Sequence, residues 1–164
     1  MIDYEKIARE EKSKLDAVVT AAIEKQKRDE ASLAFFKSIE LALAEEITKA
    51  NPELARYGLL TGHRTGGISI DQKRFDTQVR LTYGRALSCE VNFDQPKSMI
   101  EVDMVMEQIG DVPVPPKKLA YCVGFTPSGT IAGKVEPGKE PSGRFAPKEI
   151  AEIVLSGMIR GNFE

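Results

Sequence analysis

The chain has 164 residues, of which 41% are hydrophobic and 29% charged, with a formal net charge of −2. That length supports a single domain with a real core, 1–164. The balanced charge excludes the basic footprint that nucleic acid or an anionic membrane surface requires. No run approaches the roughly 18 apolar residues of a membrane-spanning helix.

Two cysteines, Cys89 and Cys122, are too few for a disulfide scaffold or a zinc site. Residues 1–11 are charged throughout and lack the apolar centre of a secretion signal. The expectation is a cytoplasmic protein with no cofactor and no metal, binding neither nucleic acid nor membrane.

The first 51 residues contain no glycine and no proline; all 13 glycines and 9 prolines follow. This predicts a long helix over residues 1–50. As one rod, about 47 residues span roughly 70 Å at 1.5 Å per residue. A compact chain of this size is only about 40 Å across. The helix must therefore bend, or project and find a partner.

Apolar residues recur at helical spacing in two runs, Ile7, Leu15, Val18, Val19, Ala22, Ile23 and then Leu33, Phe36, Ile39, Leu43, Ile47. Between them residues 24–30 are entirely polar. Sevens counted from Leu15 reach Ala22, Asp29, Phe36 and Leu43, so the register survives the gap while the apolar seam does not. One reading bends the helix near Asp29 as a new N-cap. The other has the first half project and pair with a second copy through Leu15, Val18 and Ala22. The second half is expected to cover a sheet. Asn51-Pro52-Glu53 reads as an N-cap and first turn of a separate short helix ending at Tyr57-Gly58.

Residues 61–67, Thr-Gly-His-Arg-Thr-Gly-Gly, read as a connector and as the best candidate for a small-ligand contact. They combine the sole histidine, His63, with Arg64, Gly66 and Gly67, whose backbone amides can approach an anion. The spacing does not match a P-loop.

Alternation then predicts an antiparallel meander of five or six strands over 68–135. One face holds Phe75, Thr77, Val79, Leu81, Tyr83 and then Leu87, Cys89, Val91, Phe93. It continues with Ile100, Val102, Met104, Met106. A three-residue loop, 84–86, sets Leu81 opposite Cys89 and Val79 opposite Val91; a four-residue loop, 95–98, sets Phe93 opposite Ile100. Reading Pro127-Ser128-Gly129 as a three-residue hairpin sets Phe125 opposite Ile131 and Tyr121 opposite Val135. The outer positions of that hairpin, Ala120, Cys122, Gly124, Thr130 and Ala132, are then all small. The segment 147–160 is an amphipathic C-terminal helix opened by Pro147 and closed near Gly161.

The fold class is thus α+β: a long N-terminal and a short C-terminal helix packed with an antiparallel sheet. No catalytic motif stands out. The expected function is a non-catalytic interaction or adaptor protein, a homodimer or bound to a protein partner through its long helix or sheet. Two alternatives stay open. One is a small-ligand carrier with a cavity between sheet and helix, lined by Met104, Met106 and Tyr121. The other is a hydrolase using the His63 loop or the acidic residues Glu90, Glu101 and Asp103.

Overall fold

The computed structural model describes residues 1–69, 74–82, 86–108 and 110–163, with 67–69 as backbone only. Helix α1 runs unbroken from Tyr4 to Ala55, 52 residues. Asp3 caps it, its carboxylate accepting from the Lys6 N–H at 3.0 Å. Asp29 is not a cap and the helix does not end there. Nor does a second helix begin at Asn51. Pro52 lies inside α1, where the missing N–H costs one bond near the end of the helix. Asn51 does not cap because its side chain is used elsewhere. Its amide donates to the Thr61 carbonyl at 3.1 Å and accepts from the Thr61 N–H at 3.0 Å. Gly58 takes the left-handed conformation, φ 74°, beyond the helix end, as its position suggests.

Seven antiparallel strands follow, in the order of the chain: β1 (Thr61–Ser69), β2 (Arg74–Leu81), β3 (Ala86–Asp94), β4 (Met99–Met106), β5 (Lys117–Thr126), β6 (Gly129–Lys134) and β7 (Ser142–Phe145). Helix α2 (Pro147–Arg160) closes the chain, with Gly161 left-handed at its end. The α+β class holds, and the sheet has seven strands rather than five or six. The two extra strands are its edges. β1 occupies the stretch expected to be a connector, and β7 contains Gly143 at φ 75° and shows no apolar alternation.

Both helices lie on one face of the sheet and against each other. The core beneath them holds Phe36, Ile39, Leu43, Val79, Cys89, Val91, Phe93, Ile100, Val102, Met104, Ile150, Val154 and Met158. Phe36 stacks on Phe93, ring centres 5.5 Å apart. Residues Phe36, Ile39, Leu43 and Ile47 cover the sheet as the spacing predicts, each contributing roughly 1.5–3 kcal/mol of burial.

The loop register departs from expectation twice. Val79 faces Cys89, and Val91 faces Thr77. The β2–β3 pairing is shifted by two residues, which leaves the paired side chains on the expected face; Tyr83 and the turn residues 84 and 85 lie outside the described set. Leu87 is an exception, turned to solvent where a bulge follows Ala86. Phe93 faces Ile100 as expected.

The β5–β6 hairpin is a larger correction. Thr126 already pairs with Gly129, so the loop has two residues, Pro127 and Ser128. The Thr126 hydroxyl donates to the Gly129 carbonyl at 2.9 Å and closes the turn. One residue fewer flips the parity of the whole strand. Tyr121 faces Lys134, not Val135; Phe125 faces Thr130, not Ile131. Ala132 is fully buried in the core, and Ile131 and Gly133 take the outer face beside Cys122 and Gly124.

Candidate functional site

Two surfaces stand apart from the packed core. The first is the N-terminal half of α1. Every residue from Met1 to Arg28 is exposed, and burial begins at Asp29. Twenty-five helical residues thus leave the body, about 37 Å at roughly 1.5 Å per residue. Ile7, Leu15, Val18, Val19 and Ile23 are 48–66% exposed on this arm. With Ala22 they form one stripe along the helix, since neighbours three and four apart share a face. The flanks carry close ion pairs, Arg9–Glu5 and Lys14–Glu11, both at 2.8 Å. Such exposed pairs contribute only about 0.3–0.5 kcal/mol.

The second surface is the groove between α1 and the sheet edge β1. Its cavity of about 430 Å³ is lined by Lys37, Glu40, Leu41, Ala44, His63 and Thr65. The N–H and C=O of Thr61 point away from β2 towards Asn51. Alternation along a strand turns those of His63 and Thr65 the same way, into the groove. The edge is therefore open for strand pairing beyond the residue that Asn51 covers.

The His63 ring faces inward, where Nε2 bonds the Thr77 hydroxyl. Thr77 gives its one proton to the Arg64 carbonyl, 3.3 Å away. Burial holds His63 below its ordinary pKa. Burial also raises Glu40, opposed by Lys37 and reinforced by Asp76.

The residues expected to make one anion contact are divided by the strand. His63 lines the inner groove. Arg64 and Gly66 line a separate outer depression with Asp76, Gln78 and Glu90. A Cβ at Gly66 would stand 1.9 Å from the Asp76 carboxylate, so any other residue there has to push that exposed side chain aside. Gly67 lies in the β1 backbone.

The outer acids are each engaged. Glu101 bonds Arg74 at 2.9 Å, Asp103 lies 3.7 Å from Lys118, and Glu90 accepts from Gln78 at 3.3 Å. Cys89 and Cys122 are free thiols on opposite faces. Burial, with Asp103 adding to it, pushes the Cys89 thiol up to about 12, which leaves it unreactive. Met104 is fully buried in the core. Among the described residues no helix is long and apolar enough to cross a membrane.

No protein-family model, curated protein or solved structure matches the chain.

Proposed function

We propose that this is a non-catalytic interaction protein that forms a homodimer through the projecting half of α1, in a cytoplasmic setting. The observation that carries the reading is the 25-residue arm, which leaves the body with its apolar stripe uncovered. Most helical stability in proteins comes from packing an apolar face, and nothing in the body packs on this one. A second copy is the occupant that the arm itself fits. Residues 4–30 carry seven acidic and seven basic side chains, so identical arms do not repel. Leu15, Val18 and Ala22 keep one heptad phase, as a helix pair requires. Two free cysteines agree with a reducing compartment.

The test is the mass of the full chain against concentration, with Leu15→Glu and Val18→Glu as probes. A dimer that both substitutions weaken supports the arm.

The open β1 edge favours a second reading, association of two copies by strand pairing at His63 and Thr65. Thr65→Pro removes an outward N–H. Under this reading it breaks the dimer while Leu15→Glu leaves it intact. A small ligand contacting His63, Arg64, Gly66 and Gly67 together has to reach both faces of that edge.

A further inference from the structure

Tyr121 is the largest fully buried side chain, 1% exposed. Its ring meets Phe145 edge-on at 5.3 Å, yet its hydroxyl makes no hydrogen bond to any described residue. That oxygen is not sealed from solvent, so it can meet a ligand in the cavity that Tyr121 lines. Tyr121 lines a cavity of about 180 Å³ between β5, β6, β7 and the end of α2. An apolar cavity of about 150 Å³ is enough to hold a benzene ring.

One wall is apolar: Leu119, Phe145, Ile153 and Phe163. The other is polar, formed by Ser156, Asn162 and Lys134, which the hairpin register sets directly opposite Tyr121. Directly opposed residues share a face, with Cβ atoms about 5 Å apart. The two-residue turn is what brings them together; one more loop residue would send Lys134 to the outer face. The ammonium is only loosely engaged. Glu136 lies 3.8 Å from it, and the same carboxylate is 3.3 Å from Lys139.

The cavity is held in shape by the C-terminal tail. The Asn162 N–H donates to the Gly157 carbonyl at 3.0 Å, and Lys117 Nζ donates to the Gly161 carbonyl at 2.7 Å. Phe163 then lies over Gly157, where a Cβ would stand 2.5 Å from its ring.

A cavity with one apolar wall, a cationic donor and neutral donors beside it fits a particular chemistry. We propose that this cavity binds a small monocarboxylate of about benzoate size. Its carboxylate meets Lys134 and the Tyr121 hydroxyl; its apolar body sits among Leu119, Phe145, Ile153 and Phe163. Burial raises Tyr121 to about 12, so the phenol remains a donor throughout the neutral range. No residue of α1 takes part, and the site goes beyond self-association.

The experiment titrates the full chain with benzoate, and with benzamide as the uncharged isostere, by ligand-observed NMR. Benzoate is expected to saturate and to bind about tenfold tighter than benzamide, the margin of one charge-assisted bond. Tyr121→Phe keeps the ring and removes only the hydroxyl; Lys134→Met keeps the stem. Each should weaken benzoate by about tenfold. Glu136→Gln, on the surface, should tighten it by freeing the ammonium. Equal binding of the two probes, saturation by neither, or unchanged benzoate binding by Tyr121→Phe would overturn the proposal.

Discussion

Phe36 is the largest fully buried side chain of α1 and stacks on Phe93. Replacing it with alanine should cost about 3–5 kcal/mol by urea unfolding. A cost under about 1 kcal/mol would place the core elsewhere. At His63 the sign of the pH dependence follows from burial. Its folded pKa is lowered, so below the ordinary value of 6.5 the unfolded chain binds the proton more readily. Its contribution is complete above that pH and is lost as pH falls towards the lowered folded value. Glu40 runs the other way: its raised pKa means that stability present below the ordinary 4.5 is lost as pH rises. Glu40→Gln should therefore raise the unfolding midpoint at pH 7 and not at pH 4. His63→Gln should flatten the fall in stability between pH 7 and pH 5.5. An unchanged slope in that variant would assign the effect to other groups.

At the scale of elements, α1 shows what sequence patterning reveals and where it stops. The absence of Gly and Pro made its length readable, and the apolar spacing identified its buried face from Leu33 to Ile47. Pro52 misled because one missing hydrogen bond near a helix end costs little beside the packing that continues past it. The inner strands were readable because one wet face enforces alternation. The edges were not: β1 sets glycines and threonines beside His63 and Arg64, and β7 has four residues, so neither writes an apolar alternation. Pro127-Ser128-Gly129 suits both a two- and a three-residue turn, and only the pairing of Thr126 with Gly129 decides between them. That ambiguity hid the Tyr121–Lys134 pair, whereas His63 was visible as the sole histidine. The same element predicts a difference in hydrogen exchange. At dilution amides of residues 4–28 should exchange fast and those of 32–50 slowly, and the arm should gain protection as concentration rises. An arm equally protected at all concentrations would mean that it needs no partner.

On the scale of the whole molecule, the fold separates two tasks. The body closes its own core between one sheet face and two helices, while the arm keeps an apolar stripe that nothing in the body covers. Gly157→Ala belongs to the body: the added methyl must displace Phe163, at an overpacking cost of about 1–3 kcal/mol, without changing assembly. A loss of assembly in that variant would show that the C-terminal tail takes part in the interface.

The most direct test of the central claim is sedimentation equilibrium of the full chain beside the triple variant Leu15→Glu, Val18→Glu, Ala22→Glu. The wild-type chain should pass with rising concentration from 18.1 kDa to twice that mass. The triple variant should remain at 18.1 kDa with an unaltered unfolding midpoint under dilute conditions. A wild-type chain that stays monomeric at every concentration, or a triple variant that assembles as well as wild type, would contradict the account.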